Sequence, residues 1–181
     1  KKTLPFSCIR DFDFSNDEIN DSKIIKEYRV FQKTFEEKYM YEFFRIAREI
    51  TPFDTLGHVA GVHFVAMYMA KQLNKAGVNV DLCLVSAAAA LHDIGKFGCK
   101  GDENQRVPYL HYYYTDIFSS KLGLSVIGHT ASNHSTWDLE FDNLSVENLL
   151  LIYADFRVKS TRENGKEKEY SKSNKIIYNR Q

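Results

Sequence analysis

At 181 residues and 44% apolar content, the chain can bury one good-sized core without disulfides, so a single domain is expected. Lys plus Arg balances Asp plus Glu at 24 each, which excludes a bulk charge that would draw the protein onto nucleic acid or an anionic membrane. No apolar run reaches spanning length and no basic-then-apolar leader opens the chain, so no membrane partner is expected. Cys8, Cys83 and Cys99 are odd in number and lack metal-type spacing; they read as free thiols in a reducing compartment, the cytoplasm. The chain opens on Lys1 rather than Met, which reads as a piece of something longer, with a further domain or a homo-oligomeric partner left open.

Helical periodicity runs through most of the chain and strand signals are nearly absent, which predicts an all-α bundle. From about Asn16 to Ile50, apolar residues recur at Ile24, Tyr28, Phe31, Phe35, Tyr39, Phe43, Ala47 and Ile50, one stripe of a long helix or of two joined ones. Thr51-Pro52 breaks it. A second helix is predicted from about Phe53 to Ala76, with Gly77 as its stop and a stripe of His58, Val62, Val65, Met69 and Leu73. Asp81 can cap a third helix, Leu82 to about Ile94, ended by Gly95, and Lys96 to Pro108 has the composition of a loop. A fourth helix follows from about Tyr109 to Leu122, closed by Gly123, then a shorter one from Ser125 to about Ser132. Ser145 can cap a last helix that carries Leu149, Leu150, Ile152 and Tyr153 up to Asp155. From Lys159 to Lys175 the composition is almost wholly polar, which predicts a mobile segment. The organisation expected is an N-terminal helical extension over 1–50, a core domain over 51–160, and a polar, mobile tail over 161–181.

The pair His92-Asp93 carries the chemistry. It follows Val85, Ala87 to Ala90 and Leu91, so a buried alanine face delivers an imidazole and a carboxylate together. An ionised carboxylate there costs several kcal/mol unless a cation or a partner compensates it. A divalent metal satisfies both groups, attracting the carboxylate and taking the neutral imidazole nitrogen. Asp155 repeats the pattern after Leu149 to Ala154, with a salt bridge to Arg157 as the plainer reading. His58 alone reads more readily as a hydrogen-bonded core histidine than as a ligand, and the same holds for His111 and His129 taken singly. His63 lies about 140° around its helix from His58 and should face elsewhere, in a structural or surface role.

The order His58, then Leu91-His92-Asp93-Ile94-Gly95-Lys96, then Ala154-Asp155 resembles the HD superfamily of metal-dependent phosphohydrolases. The resemblance covers roughly Phe53 to Lys159 and implies an HD-domain helical bundle. Its ligands would be His58, His92, Asp93 and Asp155. With His111 and His129 added, the set is similar to the two-metal branch that contains the symmetrical diadenosine tetraphosphate hydrolases. There the aspartate of the doublet bridges the ions, and two further histidines hold the second. The chain departs from that branch where Ala131-Ser132 replaces a turn glycine, and where Phe156-Arg157-Val158-Lys159 replaces a Glu-Pro pair.

The resemblance implies one or two divalent transition-metal ions. Iron and manganese suit a mixed imidazole and carboxylate set best, with nickel, cobalt, zinc and magnesium as alternatives. It also implies hydrolysis of a phosphoester or phosphoanhydride bond, most plausibly in a nucleotide, by a metal-activated water. Asp93 and Lys96 are the catalytic candidates; Lys96 reads either as a phosphate contact or as a solvated loop lysine. His134 reads as a phosphate donor or an alternative ligand, and Arg157 as a further substrate contact. One phenol of Tyr112, Tyr113 and Tyr114 should lie near the site mouth. Two other functions are compatible with the same residues: a di-iron oxygenase on the HD fold, and a non-catalytic HD signalling module.

Overall fold

The computed structural model describes residues 15–36, 55–134, 144–163 and 166–171. The all-α expectation is borne out. In chain order the helices are α1 (Asn16–Asn20), α2 (Ile25–Glu36), α3 (Thr55–Lys75), α4 (Leu82–Leu91), α5 (Val107–Lys121), α6 (Ser125–Ser132) and α7 (Val146–Arg157). Short 3-10 helices, Ile94–Phe97 and Gly101–Arg106, occupy most of the stretch read as a loop. No helix among the described residues is long and apolar enough to cross a membrane.

The stripe predicted for the N-terminal segment is present, since Ile24, Tyr28 and Phe31 are all buried. The segment is broken, however, between α1 and α2. There the Ser22 hydroxyl and the Lys23 N–H turn away from the helix to donate to the Asp81 carboxylate, at 2.9 and 3.0 Å. The rest of the expected stripe, Tyr39 to Ile50, and the Thr51-Pro52 break lie outside the described residues.

α4 is the centre of the fold. Every residue from Leu82 to Leu91 is buried, including Cys83 and Ser86. Asp81 caps it as expected, its side chain accepting from the Leu84 N–H at 3.1 Å, and Ser145 caps α7 by accepting from the Asn148 N–H at 3.2 Å. Gly77 and Gly123 stop their helices with φ of +86° and +74°. α3 lies along α4, and its buried face is wider than the predicted stripe, taking in Val59, Ala66, Met67 and Ala70 as well. His63 belongs to that face. It is wholly buried and shares a 2.8 Å hydrogen bond with the Ser86 hydroxyl of α4, the structural one of its two expected roles.

α4 stops earlier than expected. Its last helical residue is Leu91, His92 sits at the C-cap, and the chain turns at Asp93 into the 3-10 helix. The cause lies on α5. The Thr115 hydroxyl accepts from the Gly95 N–H at 3.0 Å and donates to the His92 carbonyl at 3.2 Å, taking two backbone groups that a continued helix would pair internally. Gly95 does not end the helix. It allows the approach, because a Cβ there would collide with the His111 carbonyl oxygen.

The tail departs most from expectation. Val158–Glu163 (β1) and Lys166–Ser171 (β2) pair antiparallel, from Val158 opposite Ser171 to Glu163 opposite Lys166. The ladder satisfies the backbone groups of a polar sequence, and β1 runs straight on from α7. Val158 anchors it by packing against the core over Gly61 of α3.

Burial pushes His63 down to about 3, so it is neutral in the folded protein, whereas in the unfolded chain it titrates near 6.5. A folded value below the unfolded one leaves stability unchanged above about pH 6.5 and lowers it as pH falls from there, by up to about 1.4 kcal/mol per pH unit. His63→Gln, which can keep the bond to Ser86, is expected to remove one proton from that slope. Urea unfolding from neutral pH down to about pH 4 measures it, and an unchanged slope in the variant would refute the assignment.

Candidate metal centre

Four helices, and the turn just beyond a fifth, deliver the site. His58 comes from the first turns of α3, His92 and Asp93 from the end of α4, His111 from the first turns of α5, and Asp155 from the last turn of α7. His134 lies just beyond α6. All six residues are buried, Asp93 to 2% exposure and His92 completely.

Three of the four imidazoles are aimed by their own backbone. Nδ1 of His92 lies 2.7 Å from the Ala89 carbonyl, Nδ1 of His111 lies 2.7 Å from that of Val107, and Nδ1 of His134 lies 2.6 Å from that of Ala131. A carbonyl only accepts, so Nδ1 carries the proton in all three rings and Nε2 presents its lone pair. Burial lowers the pKa of all three, His134 to about 3, and keeps the rings neutral.

These nitrogens converge in two groups around Asp93. Its Oδ2 lies 3.5 Å from Nε2 of His58 and 3.6 Å from Nε2 of His92. Its Oδ1 lies 3.8 Å from Nε2 of His111 and 3.9 Å from Nε2 of His134. Asp155 joins the first group, its Oδ1 2.9 Å from His58 and 3.7 Å from His92. Burial pushes both carboxyls up, but positive charge led by Lys96 holds Asp93 well below the usual range, and the hydrogen bond from His58 does the same for Asp155. Both are ionised. The Lys96 ammonium lies 2.6 Å from Oδ2 of Asp93.

The donor set fits divalent ions. His111 and His134 bring their Nε2 atoms to 3.2 Å, and with both protons committed to Nδ1 these two lone pairs face each other. Nothing in either neutral ring can bridge them, whereas a cation between them and Oδ1 of Asp93 would satisfy all three. Both groups, His58 with His92 and Asp93, and Asp93 with His111 and His134, are compact enough to hold an ion each.

His129 does not join. It is exposed on α6 and lies 3.1 Å from the side-chain amide of Asn133. His134, weighed as an alternative ligand, stands where His129 was expected, and the sequence held the signal. Leu124, Ile127, Ala131 and His134 recur at steps of three and four and are all buried, while His129 falls off that stripe. Arg157 has its guanidinium 5.7 Å from the Tyr153 ring centroid. Of the three adjacent phenols, Tyr112 is the one at the site: its ring centroid lies 3.9 Å from that of His111 and 4.8 Å from that of His134. Burial and the nearby Asp155 and Asp93 charges push its hydroxyl up to about 12, so it stays protonated.

A family model, the HD domain, matches residues 55–155. The chain belongs to the HD domain family. The match covers more than half of the chain, begins with α3, ends on Asp155 and contains all six clustered residues. No curated protein and no solved structure matches the chain. Members of the HD family are typically metal-dependent phosphohydrolases, some of them non-catalytic, and the His and Asp clusters here are of the kind that binds divalent metal.

His134→Ala and His129→Ala separate the two histidines. The first is expected to lower metal content by about one equivalent per chain and the second to leave it unchanged, as read by plasma emission after loading. The opposite pattern would return His129 to the cluster.

Proposed function

We propose that this HD domain is a phosphohydrolase that holds two divalent transition-metal ions, shared through Asp93, and cleaves a phosphoester or phosphoanhydride bond in a nucleotide. The observation that carries the reading is the facing pair of Nε2 lone pairs on His111 and His134, 3.2 Å apart beside a carboxylate whose other oxygen meets His58 and His92. His58, His92, Asp155 and Oδ2 of Asp93 would hold one ion, and His111, His134 and Oδ1 of Asp93 the other. Divalent ions bound there supply Lewis acidity towards a phosphoryl oxygen and bring a water towards ionisation at neutral pH. Iron or manganese suits such a mixed set better than zinc in a closed cage.

Two further groups favour a phosphorylated substrate. Lys96 reaches the site with part of its side chain exposed, so its ammonium can meet an arriving phosphate oxygen as well as Asp93. Tyr112, whose ring packs beside His111 and His134, keeps its hydroxyl protonated and so carries a group able to donate a hydrogen bond to a phosphate oxygen. The diadenosine tetraphosphate hydrolase pattern leaned on His129, which stands outside the cluster, so the proposal extends to nucleotides as a class and no further.

The test is phosphate release from a panel of nucleotides with added manganese or iron. Wild type should turn over at least one of them, and Asp93→Ala should lose both metal and activity. Lys96→Ala should keep its metal, because an ammonium cannot ligate, yet lose roughly 10- to 100-fold in turnover. Dioxygen consumption with no phosphate release from any nucleotide would overturn the proposal in favour of an oxygenase.

A further inference from the structure

Residues 15–36 lie outside the stretch that matches the HD family, yet one of their side chains reaches the helix that supports His134. α6 has no cap of its own: Leu124 occupies the N-cap position and makes no side-chain cap hydrogen bond. The exposed N–H groups at that end are taken instead from across the fold by Glu27 of α2. Its carboxylate accepts from the Val126 N–H at 3.0 and 3.2 Å and from the Ile127 N–H at 3.1 Å. A negative charge at the positive end of a helix dipole adds to those bonds.

The other end of α6 is where the His111–His134 group is made. The Ala131 carbonyl, in the last turn, receives Nδ1 of His134 and so fixes both the aim and the tautomer of that ring. Between the two ends, Gly128 packs against Ser119 of α5 so closely that a Cβ would collide with the Ser119 side chain, and α5 carries His111. The position of α6 therefore sets the separation of His111 from His134. Glu27 is held in its turn, because its neighbours Ile24, Tyr28 and Phe31 are buried in the core.

We infer that Glu27 is a positioning residue for the second ion: by capping α6 from the N-terminal segment, it holds His134 opposite His111 and makes that half of the site depend on a segment outside the family match. The inference rests on the two-ion reading above. It assigns Glu27 no contact with metal or substrate.

Calorimetric titration of the full chain with manganese(II) tests it. Wild type should take up two ions. Glu27→Ala should bind the first unchanged and the second about tenfold more weakly, the scale of losing support behind a ligand, and Glu27→Gln, which keeps an acceptor oxygen but no charge, should fall between. Ser22→Ala is the control: it cuts another tie of the same segment, the bond to Asp81, without touching α6, and should leave the second affinity as in wild type. Two ions bound by Glu27→Ala with wild-type affinities would overturn the inference alone. Equal weakening by Ser22→Ala would overturn it too, by reducing the effect to general loosening. No uptake by wild type would overturn this inference and the two-ion reading together.

Discussion

The fold turns on one carboxylate that has no business being buried by itself. Asp93 is 2% exposed at the end of a helix with no exposed residue, and an isolated charge in that place would cost several kcal/mol. The ammonium of Lys96 answers that cost directly, whereas neutral imidazoles facing the two oxygens would answer it through divalent ions held between them and Asp93. Lys96 stands one 3-10 turn on; His58 and His92 face one oxygen; His111 and His134 face the other. The turn that makes this convergence possible is held from outside by Thr115, which takes the His92 carbonyl and the Gly95 N–H. Without that clamp α4 could run on, and Asp93 would point along a different radius of the helix.

The imidazoles follow a shared rule. His92, His111 and His134 each bond through Nδ1 to a carbonyl three or four residues back on the same segment. Such carbonyls are the unpaired or doubly accepting groups of a helix turn, so the aiming device uses groups that the backbone already offers. It also sets the tautomer locally, through a neighbour in sequence, while burial lowers the pKa of each ring and favours its neutral form. The segments that carry His92, His111 and His134 thus need only to be placed, because each brings its own correctly prepared nitrogen.

Much of this was legible in the sequence, and the misses share a cause. Caps and glycine stops were read correctly at Asp81, Ser145, Gly77 and Gly123, because they depend on residues close in sequence. Of the residues that the structure brings together, His92 and Asp93 stood out as an imidazole and an acid at the end of a buried alanine face, whereas His58, His111 and Asp155 joined them only through the resemblance to the HD ligand pattern. The misses are tertiary. The early end of α4 is imposed by Thr115, 20 residues from Gly95. The break between α1 and α2 is imposed by Asp81, 59 residues from Ser22. His129 takes its place from the resemblance to the two-metal branch, although the buried stripe through Leu124, Ile127 and Ala131 points to His134. The hairpin had a local signal that polar composition hid: Asn164-Gly165, a strong two-residue turn sequence, stands between the paired strands.

The two halves of the cluster are built on unlike foundations. His58, His92 and Asp155 arise from α3, α4 and α7, which share the central core, and their support is the packing of Val59, Val62, Leu91, Leu151 and Ala154, all wholly buried. Moving any of them means reopening that core. His111 and His134 arise from α5 and from the end of α6, an eight-residue helix too short to be stable by propensity and lacking its own N-terminal cap. Its placement depends on contacts made at its ends and on one close crossing with α5. Packed cores resist small displacement, whereas a short helix held at its ends moves when one tie changes. The asymmetry puts mechanical sensitivity on the side of Asp93 that faces Oδ1, and leaves the Oδ2 side as fixed as the core itself.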